Sequence, residues 1–211
     1  MAALATFVAA LVLVTALSSP VSAGQEGNRS AKEAAPRPPL SSLQGDAGKR
    51  DYFTDLKLVT QEGTEVRFYS DILKDRIVLL SFFYTNCKIV SPKQNVILAR
   101  LQSKLGQHLG KDVLIVSISV DPARDTPEKV KEYARVFAAK KGWIFLTGKK
   151  ENVDWVNYKL GQYTEDIESH PLIYMLGNVK TGHWLKLSRE ATAESLYNQI
   201  FLLLEENETS K

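Results

Sequence analysis

Two stretches of eight residues, Ile77-Val78-Leu79-Leu80-Ser81-Phe82-Phe83-Tyr84 and Val113-Leu114-Ile115-Val116-Ser117-Ile118-Ser119-Val120, are almost continuously apolar. A strand with one wet face alternates apolar and polar residues, so runs of this kind belong to central strands covered on both faces. The rest of the chain supplies the covering layers. Ile97, Leu101 and Leu105 share one helical face, as do Val130, Tyr133, Ala134 and Phe137 within residues 127–141, with Gly142 as the expected C-terminal cap. A further helix is predicted over residues 149–160, and Leu196, Ile200 and Leu203 line a closing one. Val66-Arg67-Phe68, Trp143-Ile144-Phe145-Leu146 and a pair of strands over residues 172–176 and 184–187, joined around Gly177 and Gly182, complete the pattern. Alternation of this kind predicts an α/β domain with a mixed sheet between helices.

The chain has one cysteine, Cys87, directly after the first apolar run. It cannot close a disulfide within its own chain, so its chemistry needs a partner or another kind of ligand. Ser91-Pro92-Lys93-Gln94 fits a capping box, with Ser91 as N-cap and Pro92 as the first helical residue. Cys87 is then expected at or just before the start of a helix, where unpaired backbone N–H groups favour an anion and lower the thiol pKa. The same position also suits an inert buried cysteine, and the residues alone leave both readings open.

Residues 1–23 read as an export signal. Ala2 to Leu17 carry no charge, Ser18-Ser19-Pro20 breaks the helix, and Val21-Ser22-Ala23 offers small residues for cleavage. An uncleaved membrane anchor is the alternative, although the apolar part is shorter than the roughly 20 residues a spanning helix needs. Residues 24–48, with Pro36-Arg37-Pro38-Pro39, read as a flexible tether. The folded domain is expected over residues 49–206, with a tail at 207–211. A formal charge of +3, with Lys and Arg scattered among acidic residues, argues against nucleic acid as a partner. No glycine-rich phosphate loop is present.

Phe82-Phe83-Tyr84-Thr85-Asn86-Cys87, Val90-Ser91-Pro92 and above all Ser117-Ile118-Ser119-Val120-Asp121-Pro122-Ala123-Arg124-Asp125-Thr126-Pro127-Glu128 resemble the Sco (SenC) family. The resemblance covers most of residues 51–204. It implies a thioredoxin-like fold with a mixed central sheet flanked by helices. It also implies copper as ligand, a role in assembling the copper site of cytochrome c oxidase, and an exported, often membrane-tethered protein. The implied partner is the copper-containing subunit of a respiratory oxidase or another copper or thiol protein.

In that family two cysteines spaced C-x-x-x-C and a later histidine bind copper. Cys87 matches the first cysteine and His170 the histidine, whereas the second cysteine position is occupied by Ser91. A neutral hydroxyl is a poor copper ligand, and the dithiol to disulfide cycle is lost with it. Read without the resemblance, His170 is a solvent-facing loop residue, and His108 and His183 are surface groups. Asp121 and Asp125 flank a turn near the same sheet edge and read as structural, shaping the site, with Asp125 or Thr126 capping the helix that follows. Two other functions compete: a single-cysteine thiol peroxidase, disfavoured because Tyr84 stands three residues before Cys87 where such enzymes carry threonine, and a non-catalytic docking module.

Overall fold

The computed structural model describes residues 45–209 except Leu172. The expected leader, residues 24–44 of the tether and the last two residues of the tail lie outside them. Helix α1, Gly45–Phe53, occupies the end of the stretch read as tether, because Phe53 is buried at its close. At the other end, the last helix continues into the expected tail.

Seven strands form one sheet: β1 (Lys57–Thr60), β2 (Glu65–Arg67), β3 (Ile77–Phe83), β4 (Val113–Ser119), β5 (Trp143–Thr147), β6 (Ile173–Asn178) and β7 (His183–Ser188), in the order β2-β1-β5-β4-β3-β6-β7. β3, β4 and β5 run parallel, while β1 and β6 flank them antiparallel. Every residue of β3 and β4 is buried, as the unbroken apolar runs require. Alternate side chains serve opposite cores. Val78, Leu80, Phe82, Leu114, Val116 and Ile118 face the layer of α1, the single π-turn Phe68–Leu73 and helix α4 (Lys150–Lys159). Ile77, Leu79, Phe83, Val113 and Ile115 face α2 (Val90–Leu105), α3 (Pro127–Val136) and α5 (Ala193–Thr209). Each such side chain contributes about 1.5–3 kcal/mol of transfer free energy relative to exposure. The serines in the runs are satisfied inside: Ser81 Oγ and Ser117 Oγ lie 2.8 Å apart, and Trp143 Nε1 donates to Ser117 Oγ at 3.0 Å.

Three local expectations are corrected. Phe68 begins the π-turn rather than ending a strand. Helix α3 stops at Val136, with Phe137 as its cap and Ala138 at φ 49°, so Gly142 is no helix cap. Gly142 (φ 98°) instead lies against the backbone of Gly110, where a Cβ would come within 2.6 Å of the Gly110 Cα. Gly177 is inside β6, not in the turn; it is paired with Trp184, whose ring occupies the space a side chain would take.

Candidate metal site

The C-terminal ends of β3 and β4 and the start of β6 meet at one sheet edge, where ligand sites of open α/β sheets gather. Beyond β3 the chain turns tightly, with Cys87 N–H donating to Tyr84 O at 3.1 Å. Helix α2 then begins at Val90 with Ile89 as N-cap, which has no side-chain acceptor to offer. The sulfur does that job, as Ser91 N–H donates to Cys87 Sγ at 3.4 Å. Ser91 is therefore not the N-cap predicted from the sequence. It lies in the first turn, 1% exposed, with a hydroxyl that completes no regular hydrogen bond. Cys87 itself is half-buried. Burial pushes its thiol up, but the nearby Ser91 hydroxyl and the amides of Ser91, Ile89 and Val90 outweigh it and bring the pKa down to about 7.

Asp125 holds this loop in place. Its buried carboxylate accepts hydrogen bonds from Thr85 N–H at 3.1 Å, Thr85 Oγ1 at 2.6 Å and Ser119 Oγ at 2.6 Å, and its carbonyl accepts from Thr147 Oγ1 at 2.5 Å. The ends of β3, β4 and β5 are thereby tied to one residue. Burial raises the Asp125 carboxyl above its usual range, against the pull of Ser119 and Thr85. Asp121 is buried beside it, ion-paired with Arg124 Nε at 2.7 Å, and Thr126 caps α3 by accepting from Lys129 N–H. Both aspartates are engaged in holding the loop.

His170 closes the 3-10 turn Ile167–Ser169 and is 5% exposed, not solvent-facing. Its Nδ1–H donates to Ile167 O at 2.7 Å, which leaves Nε2 with a bare lone pair, buried and without a partner. Burial lowers its pKa, so the imidazole is neutral at physiological pH. The His170–Pro171 bond is trans. Tyr84 links the two candidates: its ring stands edge-on to the imidazole at 5.7 Å, and its hydroxyl approaches the Cys87 sulfur. Burial, with that sulfur, pushes the phenol up to about 12. Sequence reasoning passed over Tyr84 as the end of a strand, and it passed over Tyr133, which stacks on Phe83 at 5.2 Å and takes a hydrogen bond from Asn95 Nδ2. An aromatic residue in the turn just before the cysteine was the available signal. His108 and His183 each pair with a carboxylate of their own, Asp112 and Glu206, at 3.0 Å.

A family model described as SCO1/SenC matches residues 44–180. The chain belongs to the SCO1/SenC family. It is 33% identical over 130 residues to Protein SCO1 homolog 1, mitochondrial, of Arabidopsis thaliana, covering 60% of this chain and 38% of that protein. It is 37% identical over 89 residues to the SCO1 protein homolog of Bacillus subtilis, covering 42% and 45%. The chain thus spans less than half the length of these two curated relatives. Among solved structures, Arabidopsis thaliana ScoI with copper bound superimposes with a TM-score of 0.59 at 26% identity, covering 72% of this chain and 96% of that one. BsSco, described as having a disulfide switch and as a member of the Sco family of cytochrome c oxidase assembly proteins, gives 0.60 at 26%, covering 74% and 92%. The fold is therefore the thioredoxin-like one of Sco proteins, with its mixed sheet between helices.

For a SCO1/SenC chain the donor set here is short. Among the described residues, no group of three or more His, Cys, Asp or Glu side chains could enclose a metal ion. One polarisable thiolate and one neutral imidazole suit copper(I), whereas the Ser91 hydroxyl adds little.

Proposed function

We propose that this chain handles copper on the extracytoplasmic side of a membrane during assembly of the copper site of a cytochrome c oxidase, with copper as cargo held by Cys87 and His170. The reading is supported by family membership and by the copper bound in a relative. One observation in this chain carries it. His170 Nε2 is buried, deprotonated and without a hydrogen-bond partner, while Nδ1 is pinned by Ile167 O, which is how a protein orients an imidazole ligand. The export reading rests on the uncharged stretch Ala2 to Leu17 and the small residues ending at Ala23. Among the described residues, no helix is long and apolar enough to cross a membrane.

The residues present fit the cargo only in part. Cys87 supplies a soft thiolate and His170 a neutral nitrogen, with the Tyr84 ring edge-on to the imidazole. Ser91 supplies no thiolate, so the receiving protein must complete the coordination. An incomplete site of this kind holds copper weakly and gives it up readily to a partner with more sulfur or imidazole ligands.

Competition for copper(I) against a chromogenic chelator tests the reading. Binding should be weak and should be lost in Cys87→Ala and His170→Ala. Ser91→Cys should tighten it by about tenfold or more. Binding indifferent to both alanine substitutions would overturn the assignment.

A further inference from the structure

Starting two residues after Cys87, between the first turns of α2 and the connection from β7 to α5, lies a groove of ≈ 380 Å³ lined by Ile89, Val90, Lys93, Gln94, Ile97, Arg189 and Glu190. That volume falls within the usual range for small-molecule sites. Its polar lining is dominated by donors. Lys93 and Arg189 are exposed cations, and Arg189 meets the single carboxylate, Glu190, only at 3.9 Å. Gln94 is 3% exposed, yet its Nε2 has no acceptor. A buried amide donor left unpaired in a groove is costly unless a ligand completes it. The groove and the sulfur share the start of α2: Ile89 and Val90 line the groove, and the next amide, Ser91 N–H, donates to Cys87 Sγ at 3.4 Å.

The geometry points to a site for a small anionic thiol of the glutathione class, captured on Cys87 as a mixed disulfide with its carboxylates on Lys93 and Arg189 and an amide carbonyl on Gln94 Nε2. The oxidant is the disulfide form of that thiol. The Cys87 thiolate attacks one of its two sulfurs, a new S–S bond forms as the old one breaks, and the departing thiolate takes a proton from solvent. Cys87 is oxidised and the departing sulfur reduced. In a C-x-x-x-C protein the second cysteine would then expel the adduct. Ser91 cannot, since its hydroxyl is no nucleophile toward a disulfide at neutral pH, so the adduct persists.

The reaction needs no copper, so its test stands apart from that of the proposed function. Cys87 is the sole cysteine of the chain, which makes intact mass an unambiguous readout. The reduced full chain is treated at low salt with oxidised glutathione or with the neutral disulfide of 2-mercaptoethanol. A Lys93→Gln/Arg189→Gln variant should slow glutathionylation by about threefold or more while leaving the neutral reagent's rate unchanged. In Ser91→Cys the adduct should give way to an internal disulfide with glutathione released. No adduct in the native chain, equal slowing of both reagents, or an adduct that persists in Ser91→Cys would overturn the inference.

Discussion

At the residue scale, the site is set by what each polar atom lacks. Ser91 Oγ is buried without a regular partner, whereas Ser119 Oγ donates to Asp125 and accepts from Asp121 N–H at 3.0 Å. Below pH 7, where the Cys87 sulfur carries its proton, deleting a hydroxyl without a regular partner removes little, while deleting one from a satisfied network strands its partners. At pH 6, Ser91→Ala should therefore change stability by less than about 0.5 kcal/mol, and Ser119→Ala should cost about 1–3 kcal/mol in urea unfolding. The same Ser91→Ala substitution should raise the thiol pKa, because the hydroxyl is the largest influence lowering it. Alkylation rate against pH checks this: half-maximal near pH 7 in the native chain, higher in the variant.

At the element scale, α2 and the β4 to α3 loop do most to aim the chemistry. Helix α3 is capped by Thr126 with Pro127 as its first residue, and Thr126→Ala should cost about 1 kcal/mol of unfolding free energy. The central strands were legible because a two-sided strand leaves an unbroken apolar run, and the closing helix because Leu196, Ile200 and Leu203 keep helical spacing and are all buried. Other features depend on contacts distant in the chain. Gly142 reads as a cap until Gly110 is seen against it, and Gly177 reads as a turn until Trp184 is seen over it. Ser91 followed by Pro92 imitates an N-cap, but the cysteine upstream takes the role and shifts the helix start to Val90. Cys87 stood out as the sole cysteine before a helix start, whereas His170 was visible only through resemblance, and its burial was not, since it depends on a 3-10 turn and a tyrosine supplied by another element.

At the scale of the whole molecule, the site couples to stability through two titrations that occupy separate pH windows. The thiol of Cys87 sits at about 7 in the folded chain against an ordinary 9.0. Between those values the unfolded chain binds the extra proton, so stability rises with pH there, and the contribution is lost as pH falls through about 7. His170 is lowered from 6.5 by burial. The unfolded chain again binds more protons below 6.5, so this contribution is complete above 6.5 and is lost as pH falls toward the folded value. Asp125 acts in the opposite sense, since burial raises its carboxyl above 3.8 and its ionisation in the folded state opposes stability as pH rises through that lower range. Urea midpoints measured from pH 5 to 9 should therefore climb in two steps. Cys87→Ser should flatten the step between about 7 and 9, and His170→Gln the step below 6.5, each leaving the other intact. A single step abolished by either substitution would show that thiol and imidazole titrate as one coupled unit across Tyr84 rather than as neighbours that share it.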